Sequence, residues 1–438
     1  MSNPLNMFTV SFANGIDNAP TITEDLLRKF DWIYYDSDNL FPQRMVTLAD
    51  NSPIHGAAIA KHAMFIGGDG LEFEDEATEE QALQYLEKVF GGKTALNLAI
   101  KGLAQDRAYF NGHTVALQYT RGRELLSAKH YDFTTIRVSR ELDNGTPRYV
   151  YYSPDWEIST GRKSYGGKYV DYEPQKFKNF SAWQGRNGVM FIYDKQYKPS
   201  KRYYPEPEYI GGLKYVETEC NLGQYVNRLV IKGFKGGTHI HLFKEFDDDQ
   251  AKKVESAMNE KFTNEESPDI VLTYGGDPTS APTINNIPNL TNSEILTTVG
   301  AELDKKIDLA HPIPSMLYTS FQTATGLDGQ ANAIKEVLEY YQNTAVRPQQ
   351  EAIENTLNTI LEMGGIQNTC RIKAANPITF IADKDIMLEV LKVNEIRQEM
   401  NWPRLEDNDP RGEVIPAEVK QQSNNTDVQR QDNPDNAN

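Results

Sequence analysis

The feature that most restricts the possible folds is a pair of long amphipathic helices separated by a segment with its own short α/β pattern. The second helix is the better marked. Thr291 to Glu294 reads as a capping box, and Leu290 with Ile295 can close a hydrophobic staple around it. Ile295, Val299, Leu303, Ile307 and Ala310 follow along one face, and Pro312 and Pro314 stop the run. At about 1.5 Å per residue this is a rod of roughly 30 Å. The first helix carries Val216, Leu222, Tyr225, Val226, Leu229 and Val230 at helical spacing and stops at Gly236-Gly237. Between the two, "THIHLF" alternates as a strand does, and "DDDQAKKVESAMNEKF" reads as a helix with acidic residues at its positive end. "DIVLTYGGDP" then runs as a strand into a turn, so the insert is βαβ-like. Two rods of this length bury little against one small insert, so their apolar faces are expected to pack on copies of the same chain.

The 438 residues allow roughly three ordinary domains. No run of about 18 apolar residues exists, so no membrane span is expected. The opening "MSNPLNMFTVSFANG" lacks a basic stretch followed by an apolar one, which argues against a secretory signal. Cys220 and Cys370 have no ligand types beside them and read as reduced structural thiols. The net charge of −17 is the reverse of what a tightly bound, sequence-specific DNA ligand requires. It does not argue against DNA that must pass without sticking.

Before the first rod, three helices are expected in "SPIHGAAIAKHAMFIGG", "EEQALQYLEKVFGG" and "TALNLAIKGLAQDRAYFNG". The first of these carries Ile54, Ala57, Ala58, Ile59 and Met64 as its apolar residues. The alternating stretches "HTVALQYT", "TTIRVSRE", "PRYVYYS", "KYVDYEP" and "GVMFIYDK" then predict an antiparallel meander. After the second rod, Thr319 to Gln330 holds no Lys or Arg. A helix follows with Ile334, Val337, Leu338 and Tyr341, is kinked at Pro348, and continues through Ile353, Leu357, Ile360 and Leu361 to Gly364-Gly365. Past "ITFIADKDIMLEVLKVNEIRQEMNWPRLEDNDPRGE", where Asn394 reads as a helix cap, the Gln/Asn/Asp-rich end reads as a disordered tail.

Chemical motifs are few. His239 and His241 share one strand face, but two ligands without a third do not make a metal site, and a polar strand face explains them. The "GGDG" and "YGGDP" turns lack dinucleotide or P-loop order. No nucleophile-elbow, zincin or kinase set is present. No metal, cofactor or catalytic residue is therefore expected, and the chain does not read as an enzyme.

Five segments, in order, resemble portal proteins of tailed bacteriophages. They are "DNLFPQRMVTLADNSPIHGAAIAKHAMFIGGDGL", "AQDRAYFNGHTVALQYTRGRELLSAKHYDFTTIRV", "YDKQYKPSKRYYPEPEYIGGLKYVETE", "KKIDLAHPIPSMLYT" and "VNEIRQEMNWPRLEDNDPRGE". In the second, Gly112 stands where the family usually has Gly, and His113 where Asn is common. The resemblance spans nearly the whole chain. It implies an α+β, portal-type subunit with a mixed α/β wing over residues 1–208 and a first stem helix over 209–237. A small α/β clip over 238–290 and a second stem helix over 291–314 would come next, then a tunnel loop over 315–330. A kinked wing helix and helical crown would occupy 331–405, and a mostly disordered tail 406–438. The crown is short for the family.

Such a subunit belongs to a ring of about twelve copies around a channel for double-stranded DNA. The resemblance implies that this ring sits at one capsid vertex of the virion and serves DNA packaging and later ejection. Its partners would be the large terminase subunit, the major capsid protein and a neck or adaptor protein, with assembly in the host cytoplasm and no membrane. The DNA-facing residues would be Thr319, Ser320, Phe321, Gln322, Thr323, Thr325 and Asp328 in the loop. Glu294, Glu302 and Asp304 would stand on the channel-lining stem, with Lys305 and Lys306 set against them. Glu245, Phe246, Asp247 and Asp248 in the clip would dock the motor or neck. Hydroxyl and amide groups without Lys or Arg let phosphates slide, since lysines would hold them through counterion release. Two other readings stand beside this one. A different phage tail or baseplate adaptor would share the acidity and the lack of motifs, and a carboxylate pair acting on a polymer would require a cleft in the β-rich region.

Overall fold

The computed structural model describes residues 24–25, 30–159, 174–183, 185–231, 238–242, 252–253, 270–274, 283–286, 293–318, 334, 336–375 and 392–399, with Leu405, Asp409 and Val414. Two compact units divide the chain, one of Met1–Ala324 with Glu336–Ala375, the other of Thr325–Lys335 with Asn376–Asn438.

In the larger unit, α1 (Phe41–Asn51), α2 (Pro53–Gly67), α3 (Glu79–Phe90) and α4 (Lys93–Phe110) form where small and apolar residues recur at helical spacing. Ser52 separates α1 from α2, and its hydroxyl caps the second by accepting from the His55 N–H. The buried side of α2 is the expected one at Ala58 and Ile59 but not at Met64. Met64 is exposed, whereas His55 and His62, seven residues apart and so on one face, are buried with Ala58, Ile59 and Phe65.

Six strands follow, β1 (Gly112–Tyr119), β2 (Leu125–His130), β3 (Ile136–Val138), β4 (Tyr149–Tyr152), β5 (Gln175–Asn179) and β6 (Val189–Lys195). They make one sheet in the order β2-β1-β6-β5-β4-β3. This corrects the expected meander, because β6 returns to lie between β1 and β5 and runs parallel to β5. Alternation in the sequence locates strands but does not say which neighbour each will take. Strands β2 and β5 carry too many polar residues to stand out. In "KYVDYEP", residues 168–173 lie outside the described residues.

The odd-numbered residues of β1 face a helix from late in the chain, α7 (Arg347–Met363). His113 Nε2 lies 2.8 Å from Thr356 Oγ1, and the Tyr119 hydroxyl lies 3.2 Å from Met363 Sδ. From Glu336 helical geometry runs on through a π-turn at Gln342–Val346 and continues as α7. Pro348 explains the π-turn. It has no N–H for the carbonyl four residues back, and the Arg347 N–H bonds to Gln342, five residues back. Strand Cys370–Ile372 then pairs with Leu71–Phe73, and Glu354 accepts both Arg347 and the Ile372 N–H.

Two buried arginines hold these layers together. Arg107 on α4 donates to Gln349 on α7 at 2.7 Å, to Asp194 on β6 at 2.7 Å and to Gln196 at 3.3 Å. Arg137 on β3 donates to the Asn39 side chain at 2.6 Å and lies 4.8 Å from the Trp156 ring. Burial lowers the pKa of both, and that of Arg137 reaches about 10.

From this body rise α5 (Leu213–Ile231) and α6 (Ser293–Ala310), the two rods. The insert between them contributes β7 (Thr238–Leu242), β8 (Ile270–Tyr274) and β9 (Thr283–Asn286). Strand β7 lies in the middle, parallel to β8 as a βαβ-like insert requires, and antiparallel to β9, a strand the sequence reading did not include. Of the helix expected between β7 and β8, only 252–253 are described, and both are helical.

In the smaller unit a short helix, α8, covers Val393–Glu399. Asn394 lies inside it rather than capping it, and its Oδ1 accepts the Leu405 N–H at 2.8 Å. Glu395 does the capping instead, accepting the Lys392 N–H at 2.9 Å.

Candidate functional site

The two rods meet closely at their feet. Gly212, just before α5, lies against Ala310 at the end of α6, and a methyl group added there would run into the alanine Cβ. Leu213 and Val216 on α5 and Leu303 and Ile307 on α6 are buried. Leu296, Gly300, Leu303 and Ile307 alternate four and three residues apart, which sets one stripe of α6 inward.

Higher up, this cover thins. From Asn221 onward α5 is exposed except for half-buried Leu222 and Leu229, and Val226 (36%), Val230 (54%) and Ile231 (44%) face outward. On α6 the expected apolar face splits, with Leu303 and Ile307 buried but Val299 39% exposed, and Leu309 is 80% exposed. Among the described residues, apolar side chains therefore stand exposed along both rods.

A buried aromatic and imidazole cluster anchors the feet. His55 Nδ1 lies 2.9 Å from His311 Nε2, just before the prolines that end α6. The Tyr209 ring lies against both, at 4.7 and 5.2 Å between centroids. One helical repeat further along α2, His62 Nδ1 lies 2.5 Å from the Tyr341 hydroxyl. Burial keeps these imidazoles neutral, with His55 and His62 lowered to about 4 and His311 to about 3, where the neighbouring histidines add to the effect. Ser52 ties α2 to α5 by donating to Glu219. Beyond the prolines, Tyr318 donates to Asp308, fastening the last described residue before the polar segment to the rod. These residues were not singled out from sequence. The seven-residue spacing of His55 and His62 was the available signal.

Acidic side chains on α6 do not form one stripe. At about 100° per residue, Glu302 and Asp304 diverge from a line opposite the buried seam, and Lys305 lies between them. Lys305 Nζ is 4.0 Å from Glu302, both exposed. Asp304 is raised by partial burial and by Asp308, and Glu219 by burial and by Asp304, so these three carboxylates stand near one another on one flank. Glu294 lies in the first turn of α6, and its side chain is outside the described residues. Thr319, Ser320, Phe321, Gln322, Thr323, Thr325 and Asp328 lie outside them as well, as do Glu245, Phe246, Asp247 and Asp248. His239 and His241 both turn to Thr273 Oγ1, at 2.8 and 2.6 Å. Among the described residues no group of three or more His, Cys, Asp or Glu is arranged to hold a metal ion, and no helix is long and apolar enough to cross a membrane.

No protein-family model matches the sequence, and no curated protein matches it. Among solved structures the chain is similar to one in the neck of an empty gene transfer agent particle, at 14% identity and a TM-score of 0.48, over 83% of this chain and 95% of that one. It is similar to one in the neck of a native particle of that kind, at 14% identity and 0.47, over 83% and 94%. A third is the HK97-family phage portal protein from Corynebacterium diphtheriae, at 14% and 0.41, over 75% and 95%.

Proposed function

We propose that the chain is the subunit of a portal ring, the conduit through which double-stranded DNA enters and leaves a phage or phage-like particle. One observation carries the reading: two rods that bracket a small three-stranded insert keep apolar side chains exposed on their flanks. A free-standing subunit gains nothing from Val226, Val230 and Leu309 in water, whereas a ring of copies buries them. The five ordered sequence motifs agree with it.

In this reading the rods are the stem, the insert is the clip, and the body before the first rod is the wing. Residues 315–330 are the tunnel loop, whose hydroxyl and amide groups touch phosphates without holding them. The clip, through Glu245 to Asp248, docks the terminase motor and later the neck, and the wing meets the major capsid protein. The subunit itself hydrolyses nothing.

Electron microscopy of the purified protein, with its mass in solution, tests the assembly. Rings with a central hole and a mass of about twelve chains are expected. A chain that stays monomeric at high concentration and with a scaffold partner refutes the reading. The loop is tested separately. Lysine at Thr323 is expected to slow DNA passage in a packaging assay and to make the rate depend more steeply on salt. An unchanged rate removes the loop from the channel.

A further inference from the structure

A basic, aromatic strip lies on the sheet, away from the rods. Lys176 and Lys178 on β5 share a face with Tyr151 and Tyr149 of β4, their register partners. Lys176 Nζ stands 4.2 Å from the Tyr149 ring centroid and 5.5 Å from that of Tyr151. Arg148 and Lys178 both lie over Trp183, at 4.6 and 4.7 Å, and the Trp183 and Tyr149 rings are 5.7 Å apart. Arg186 covers Phe180 at 3.7 Å in the same loop. The acidic group closest to Lys176 is Asp31, at 3.7 Å and 77% exposed on its side chain. Four cations so gathered are unexpected on a chain of net charge −17.

We propose that this strip is a docking surface for the phosphate backbone of duplex DNA, held without regard to base sequence. Lys176 and Lys178 are two residues apart on a strand, about 6.6 Å, which matches the roughly 6–7 Å between successive phosphates of one DNA strand, each step rising about 3.4 Å along the axis while turning around it. The rings fix the cations before any ligand arrives, which lowers the entropy lost on docking. They also spend their faces on those cations, so no platform is left for unpaired bases, and this favours a duplex over a single strand. The Trp183 indole N–H is used on the Arg148 carbonyl, leaving the strip a reader of charge rather than of base edges. The choice of DNA among polyanions rests on the portal reading. The surface is opposite in character to the polar loop, a place of salt-sensitive holding rather than of free passage.

The test is binding of a labelled duplex, and of one of its strands, over a range of salt, with the mass of the protein recorded in parallel. In Lys176→Gln/Lys178→Gln the slope of log affinity against log salt should fall by about two, and the affinity at low salt by at least roughly tenfold. Arg148→Gln should remove about one further unit of slope. The mass should not change. An unchanged slope overturns the proposal, as does tighter binding of the single strand. A variant that drops from ring to monomer makes the strip a contact between copies and overturns it too. Wild-type protein that binds the duplex with the expected slope yet never forms rings keeps this surface and sinks the portal reading. Rings indifferent to DNA at low salt do the reverse.

Discussion

Four histidines govern how the protein answers acid. His55, His62 and His113 are lowered to about 4 and His311 to about 3, all by burial first. An unfolded histidine takes up its proton near pH 6.5, so between about 4 and 6.5 the unfolded chain binds more protons than the folded one. Stability is therefore full above that window and is lost as the pH falls through it. Asp106 opposes this, since burial raises it to about 6 and the fold takes up that proton readily. Glu208, Glu219 and Asp304, raised first by burial, oppose it as well, but the deeper histidine shifts leave a net loss on acidification, each histidine contributing of order 2 kcal/mol between pH 7 and 5. Urea midpoints at the two pH values measure it, and His55→Gln/His311→Gln should flatten the dependence. An equal slope in the variant would remove the pair from the account. At Gly212 the expected outcome is steric. Gly212→Ala forces the feet of the rods apart, and thermal unfolding should show a loss of about 1–3 kcal/mol.

At the scale of elements the rods divide into a buried foot and an uncovered shaft. Leu303→Ala empties space in the foot and should cost about 2–5 kcal/mol within the monomer. Val226→Asp/Val230→Asp should cost the folded monomer little while abolishing higher-mass species in sedimentation, because both side chains stand partly in water in a lone chain, at 36% and 54% exposure. The rods were legible in the sequence because their periodicity is long and Pro312 and Pro314 mark the end of the second, whereas Gly236-Gly237 and Thr291 at the facing ends lie outside the described residues. Long periodicity marks α2 to α4 as well. The sheet was less so. Hydrophobic alternation marks a strand such as β1 but says nothing about β6 turning back to lie beside it, and polar β5 shows no alternation at all. The π-turn at Gln342–Val346 could be foreseen only as a kink at Pro348. The foot of the rods was hidden because its members, Ser52, His55, Tyr209, His311 and Tyr341, are scattered in sequence and carry no shared motif.

For the molecule as a whole, charge is unevenly placed rather than uniformly acidic. The basic strip on β4 and β5 and the acidic flank of Glu219, Asp304 and Asp308 give two surfaces that should respond oppositely to salt. The body is also stitched across great lengths of chain. Asp75 and Asn368 bond to each other although they are 293 positions apart, beside the pairing of Leu71–Phe73 with Cys370–Ile372. A ribosome adding about 5–20 residues per second needs about 15–60 s to make the late partner after the early one. By the end of that interval both rods and the insert have been made while the sheet still waits without α7 across its face. A nascent subunit thus offers its sticky shafts before its body can close, and pausing or truncation late in translation should yield more aggregate than the same lesion placed within the last thirty or so codons.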